Sequence, residues 1–341
     1  MGLPAAAATP FSFRIDFTYL DSMTTTSTAP AREGVASLSL ADAATDPAGF
    51  AGAIGASFER YGFAVVADHG IDAGVIARAD AAARAFFALP EEVKRRYHLP
   101  GTGGARGYTP FGTEAAKDAT AVDLKEFWHV GRELPAGHSF AAFMAPNLWP
   151  SEVAEFRGAL LALFAAFDAA GLRLLSAIAR YMGLAPDFFD DKVAEGNSVL
   201  RLLHYPPVPA DAPGIRAGAH EDINTITLLL GAEEAGLEIR LADGSWLPVS
   251  PREGELVVNV GDMLQRLTNN VLKSTTHRVR NPAPERRGRS RYSMPFFLHF
   301  RPDFLIETLP GCTGADRPNL HPQPITANDY LLQRLREIRL L

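Results

Sequence analysis

Between positions 197 and 300 the chain is cut into short apolar runs separated by turn residues, and this texture constrains the fold more than any other feature. The runs cover residues 199–205, 225–230, 237–241, 255–260, 277–280 and 292–299. They are too short for ordinary helices and are punctuated by Gly, Pro, Asn and Asp, so they predict strands. Asp243-Gly244 reads as a hairpin turn and Val260-Gly261-Asp262 as a second tight corner. Many short strands at this spacing predict an all-β sandwich or jelly roll.

The first half of the chain has a different period. Residues 47–61 carry Phe50, Ile54 and Phe58 at helical spacing, Gly62 ends that helix, and 63–67 reads as a short buried strand. Asp72 caps a second helix to about residue 89, Pro90-Glu91-Glu92 starts a third, and 99–112 reads as Gly-rich loop. A mixed segment to Arg132 and a Pro-punctuated loop to Pro150 follow, and Ser151 is the expected cap of a long helix to Met182. Residues 327–340 place Leu331, Leu332, Leu335 and Ile338 on one helical face. The expected class is α+β with a mainly β core, flanking N-terminal helices and a C-terminal helix. The expected divisions are a disordered tail at 1–34, rich in Ala, Thr, Ser and Pro, and an N-terminal helical α+β region at 35–150. A scaffold helix at 151–196, the β core at 197–305 and a C-terminal extension with a helix at 306–341 complete the chain. Met23, inside the tail, is a candidate alternative start.

Composition narrows the partners. A chain of 341 residues can bury a full core without covalent staples. Its single cysteine, Cys312, cannot form an internal disulfide, which fits a reducing cytoplasm. The formal net charge of −6 argues against a general grip on nucleic acid, although a local Arg cluster could still hold an acidic small molecule. The most apolar stretch, 158–167, is about half of the ~20 residues that cross a bilayer. The N-terminus lacks the pattern of a secretory signal, and Ala6 stands where a myristoylation signal requires Ser or Thr. The expectation is a cytoplasmic monomer acting on a small molecule, with neither nucleic acid nor membrane as partner.

Three constellations carry candidate chemistry. His220 and Asp222, at the start of the strand expected to continue through Leu230, share a face if the segment is extended. His277 follows far downstream, with enough strands between to bring it alongside. Two imidazoles and one carboxylate on one face leave three positions open on an octahedral metal, the pattern of non-haem Fe(II) oxygenases. A zinc hydrolase, or a jelly-roll binding protein with a catalytically silent metal, could use the same donors. Arg291 and Ser293 form another i, i+2 pair, and a guanidinium beside a hydroxyl is suited to holding a carboxylate. Arg291 leads into the apolar run 294–298, where a charge is costly unless paired, whereas Arg286, Arg287 and Arg289 read as a solvated hairpin.

In order and spacing, these residues resemble the iron- and 2-oxoglutarate-dependent dioxygenases of the isopenicillin N synthase-like family over about residues 35–300. Further matching segments are Tyr61-Gly62-Phe63, Asp68-His69-Gly70-Ile71, Tyr205-Pro206-Pro207, residues 258–265 from Val258 to Gln265, and Lys273-Ser274. The resemblance implies a distorted double-stranded β-helix, a cupin-like jelly roll. It implies Fe(II) held by His220, Asp222 and His277 as the catalytic centre, with the remote carboxylate of 2-oxoglutarate on Arg291 and Ser293 and Tyr205 at the co-substrate tyrosine position. The implied reaction consumes O2 and 2-oxoglutarate, releases succinate and CO2, and hydroxylates, desaturates or cyclises a small-molecule metabolite. The chain departs from many members at Leu203, where they carry Asn facing the chelating end of the co-substrate. In this family an Arg-x-Ser pair can also hold a substrate carboxylate, so an iron oxidase of the isopenicillin N synthase type, using no 2-oxoglutarate, is the alternative. The family places substrate contacts in the loop-rich region that here holds Tyr108, Phe111, Glu114, Phe127 and His129. Phe297 and His299, beyond Arg291, are further pocket candidates, while His69, Asn259 and Asp262 read as turn residues.

Overall fold

The computed structural model describes residues 34–102, 104–114, 122–207, 215–230 and 236–337, so the expected tail up to residue 33, Met23 within it, and Ile338 lie outside the described residues. In chain order the strands are β1 (Ser37–Ser39), β2 (Phe63–Ala67), β3 (Gly107–Thr109), β4 (Glu126–Gly131), β5 (Val199–Tyr205), β6 (Ala217–His220), β7 (Ile226–Leu230) and β8 (Leu237–Arg240). They continue as β9 (Trp246–Pro248), β10 (Leu256–Val260), β11 (His277–Val279), β12 (Arg291–Ser293), β13 (Pro295–Leu298), β14 (Leu305–Ile306) and β15 (Ile325–Thr326). The α-helices are α1 (Asp42–Thr45), α2 (Pro47–Tyr61), α3 (Ala73–Phe87), α4 (Glu91–Lys94), α5 (Phe156–Tyr181), α6 (Asp190–Val193), α7 (Asp262–Leu267) and α8 (Ala327–Glu337).

Local chemistry sets the helix ends. Asp46 accepts the Gly49 N–H at 2.9 Å and Pro47 fills the first turn of α2, which stops at Gly62 in the left-handed region (φ 67°). Asp72 accepts the Val75 N–H at 3.0 Å and starts α3. Ser151 does not cap α5. Its N–H is taken by the Tyr97 hydroxyl at 3.2 Å, residues 151–155 form turns, and the helix begins at Phe156. This helix is long and apolar enough to cross a membrane by length and composition. Its apolar side, with Leu160, Leu163, Phe167 and Leu174, is instead packed in the core.

Two antiparallel layers face each other. The larger sheet runs β1-β2-β10-β7-β13-β5-β4-β3, with β12 also on β5, and among the described residues only its β1–β2 pair is parallel. The smaller runs β6-β11-β8-β9. From β5 onward the chain alternates between layers: β5 large, β6 small, β7 large, β8 and β9 small, β10 large, β11 small, β12 and β13 large. That alternation makes the double-stranded β-helix. One face of the large sheet (Leu200, Leu202, Leu228, Val258, Phe296) packs on α2, α3 and α5, where Phe167 stacks on Phe296 at 5.4 Å. At Gly171 a Cβ would lie 2.3 Å from Leu298 Cδ1, so glycine is what lets α5 lie this close to the sheet. The other face contributes Phe63, Val65 and Val257 to a second core with Leu237, Ile239 and Val249 of the small-sheet side.

Several expectations are corrected. The segment 99–112, read as Gly-rich loop, contains β3, and the mixed segment that follows to Arg132 contains β4. All six residues of β4 are buried, so the polar–apolar alternation that marks a half-exposed strand is missing. His220 ends β6 rather than opening the strand to Leu230, which belongs to the other sheet. The corner at Asp262 opens α7, and the run 292–299 is two strands interrupted at Met294.

Candidate active site

The cleft between the two sheets collects the chemistry. His277 pairs directly with His220 in the β11–β6 register, which sets the two rings 4.3 Å apart. Asp222 sits in the crossover from β6 to β7, so it meets them because the chain changes sheets, not because of alternation along one strand. Each imidazole is oriented by a backbone carbonyl: His220 Nδ1 donates to Gly218 at 2.7 Å and His277 Nδ1 to Thr275 at 3.0 Å. Both Nε2 lone pairs are thereby free for a ligand. Asp222 Oδ2 accepts from Thr227 Oγ1 at 2.6 Å and from Asn259 Nδ2 at 2.9 Å. Its Oδ1 faces both Nε2 atoms, at 3.8 Å from His220 and 3.9 Å from His277.

This donor set fits a divalent metal. The three candidate ligand atoms lie within 4.8 Å of one another, and the spacing of Oδ1 from each ring nitrogen exceeds a hydrogen bond. Desolvation in the cleft, with His277 adjacent, holds the His220 pKa down at about 4, so that ring is neutral at pH 7. Burial opposes ionisation of Asp222, but the two imidazoles and the Thr227 and Asn259 hydrogen bonds outweigh it and keep its carboxyl below the ordinary range. Asn259, expected in a turn, is a β10 residue directly opposite Thr227 of β7, and this cross-strand pair holds the outer carboxylate oxygen. The Asp222 carbonyl accepts the Asp262 N–H at 2.8 Å, which ties the ligand loop to α7.

At one end of the cleft, β12 lies on β5 with Arg291 opposite Tyr205 and Ser293 opposite Leu203. All four are buried, and the Arg291 guanidinium lies 4.9 Å from the centre of the Tyr205 ring. Leu203 forms an apolar wall with Phe127 and Tyr205. At the other end, Arg201 of β5 projects into the same cleft between the rings of Phe127 (4.3 Å) and Phe297 (5.3 Å). Arg201 Nε donates to His129 Nε2 at 2.6 Å, and its Nη1 lies 3.4 Å from Glu114. Lys125, also facing the cleft, pairs with Glu114 at 2.7 Å and Asp123 at 2.8 Å.

The expected pocket residues divide. Phe297 lines the cleft, and Phe127 and His129 stand against Arg201. His299 is buried just past β13, with Nδ1 on the Phe297 carbonyl at 3.1 Å. Tyr108 lies on the opposite face of the large sheet, in the helix-side core, where its hydroxyl bonds Glu126 and Glu91. Phe111 is 48% exposed and lies outside the cleft lining. His69 accepts the Ile71 N–H at 3.0 Å and stabilises its turn. Sequence reasoning missed Arg201, Lys125 and Thr227. Arg201 carried a usable signal, a charge inside the run Val199-Leu200-Arg201-Leu202-Leu203, the same argument that singled out Arg291.

Residues 196–300 match the 2OG-Fe(II) oxygenase superfamily, and residues 35–152 match the N-terminal region described for the non-haem dioxygenase in morphine synthesis. The 2-oxoglutarate-Fe(II) type oxidoreductase hxnY of Emericella nidulans is 36% identical over 288 residues, covering 81% of this chain and 80% of that protein. The chain belongs to the 2OG-Fe(II) oxygenase superfamily. A crystal structure of a 2OG-Fe(II) oxygenase family protein from Caulobacter crescentus superposes with a TM-score of 0.84 at 56% identity, covering 89% of this chain and 99% of that one. A full-length Neurospora crassa protein crystallised with alpha-KG and thymine superposes with a TM-score of 0.79 at 30% identity, covering 89% and 98%. The oxygenase is an oxidoreductase that depends on Fe(II) and 2-oxoglutarate, with O2 as co-substrate.

Proposed function

We propose that this oxygenase oxidises a C–H bond of a small molecule, with hydroxylation as the default outcome, and that His220, Asp222 and His277 hold its iron. The observation that carries the reading is Asp222 Oδ1 facing both Nε2 atoms in the same cleft as Arg291 and Ser293. Bound there, Fe(II) would supply the redox chemistry that couples conversion of 2-oxoglutarate to succinate and CO2 with oxidation of the substrate. The chain's own work is positioning. The Arg291 fork and Ser293 hydroxyl take the remote carboxylate of 2-oxoglutarate, with Tyr205 beneath the guanidinium. Leu203, Phe127 and Leu229 exclude water around it.

Size and charge support a small substrate. The cleft between the sheets must hold 2-oxoglutarate as well as the substrate, which leaves room only for a small one. The net charge of −6 supports a metabolite over a nucleic acid, and the Neurospora crassa relative binds thymine. The test is anaerobic: Fe(II) and then 2-oxoglutarate are added and the visible spectrum recorded. A weak charge-transfer band from the chelate is expected, followed in air by substrate-stimulated succinate release. Iron binding without that band would overturn the reading in favour of an oxidase that uses no 2-oxoglutarate.

A further inference from the structure

Among the described residues, the end of the cleft away from Arg291 holds more positive than negative charge. Arg106 is 3% exposed, and its guanidinium sits over Gly131, where a Cβ would lie 2.1 Å from Cζ and Nη2. Phe127, His129 and Gly131 share one face of β4, the face turned to the cleft, so Arg106 lies on that side too. Its Nη1 donates to its neighbour's carbonyl, Ala105, at 2.7 Å and its Nη2 to Asn197 Oδ1 at 3.3 Å. Its Nε is buried without an acceptor, and among the described residues no carboxylate comes within ion-pair distance. Burial alone brings its pKa down to about 10, a sign of a cation with poor compensation.

Arg201 is the second such cation. Its Nε serves His129, its ion pair to Glu114 is long at 3.4 Å, and among the described residues Nη2 has no partner. Glu114 is closer to Lys125, which also takes Asp123. His129 donates Nδ1–H to Gly104 at 2.6 Å and accepts from Arg201 at Nε2, so it is neutral. His299 is held neutral by burial. Among the described residues, Arg106, Arg201 and Lys125 thus face Glu114 and Asp123, an excess of one positive charge against the aromatic wall of Phe127 and Phe297.

We propose that Arg106 and Arg201 form an anion subsite, and that the substrate is a small acid whose carboxylate lies there while its apolar body rests on Phe297. The proposal rests on the functional reading above and adds the substrate class. A monocarboxylate would supply the missing charge, and the open N–H groups of both guanidiniums would donate to it.

The test measures heats of binding to the protein supplied with Fe(II) and 2-oxoglutarate under nitrogen. The probes are acetate, butyrate, benzoate and indole-3-acetate, each beside its amide. At least one acid is expected to bind tenfold or more tighter than its amide. Arg106→Gln and Arg201→Gln should each weaken that acid about tenfold and erase the preference. Amides binding as well as acids, no acid binding at all, or acid binding unchanged in both variants would overturn the proposal. The wild-type preference is readable even where a variant fails to fold. The charge-transfer band is recorded on the same samples: its absence counts against 2-oxoglutarate use, whereas the acid–amide difference judges the subsite separately.

Discussion

Each end of the cleft carries a buried arginine, but the two ends are assembled differently. Arg291 and Ser293 come from one three-residue strand, lying opposite Tyr205 and Leu203 of one neighbour in a single register. The far end is gathered from many places: Arg106 before β3, Glu114 after it, His129 on β4, Arg201 on β5 and Phe297 on β13. One end is set by the pairing of two strands and cannot drift without breaking the sheet. The other depends on the placement of several segments, so it can change its ligand without disturbing the iron ligands. With the roles proposed above, co-substrate binding and substrate choice would thereby be separated in the fold.

The largest effect should come from residues that serve both ends. His220→Ala, Asp222→Ala or His277→Ala should each reduce iron binding and turnover to background while far-UV circular dichroism stays native. Iron analysis after desalting, together with succinate release, checks this. A variant with wild-type iron affinity and activity would remove that residue from the metal centre.

Arg291→Lys should separate the two ends. An ammonium keeps the charge but loses the two-pronged contact, at a cost on the order of 1.5–3 kcal/mol for each charge-assisted bond lost. The KM for 2-oxoglutarate should therefore rise roughly ten- to more than hundredfold, while the acid–amide preference of the far end persists. An unchanged KM would place the co-substrate elsewhere, and a lost acid preference would mean the ends are coupled.

The same contrast explains what could be read from the sequence. His220, Asp222, Arg291 and Ser293 lie in two short local patterns, and the apolar runs around them marked β5, β7, β8, β10 and β11. What holds Asp222 was hidden, because Thr227 and Asn259 meet through the β7–β10 register and register is not written in either strand alone. β4 was hidden for another reason. Its polar residues satisfy buried partners, Glu126 with Lys94 and His204, His129 with Arg201, so a fully buried strand shows a mixed sequence without clear alternation. Tyr108 was drawn to the pocket by its neighbourhood in sequence, yet it pairs with Trp128 in the β3–β4 register and its ring points to the helices.

The smallest effect is a pH response of the far end. The group that carries it is His299, which is buried just past β13. Burial, with Arg106 adding repulsion, lowers its pKa from 6.5 to about 4, although the Phe297 carbonyl and Asp222 act the other way. The unfolded chain therefore binds more protons than the folded one between these values, and stability falls as pH drops through that window. For His299 alone the loss between about pH 7 and pH 5.5 is about 1 kcal/mol. His220 shifts in the same direction, so the measurement compares variants rather than absolute slopes. Urea denaturation of metal-free protein at both pH values should show a shallower dependence in His299→Gln than in wild type, by about 1 kcal/mol. The glutamine change alters absolute stability as well, so the slope is the readout. Equal slopes would mean that burial does not lower the His299 pKa, and this imidazole would be charged at pH 5.5.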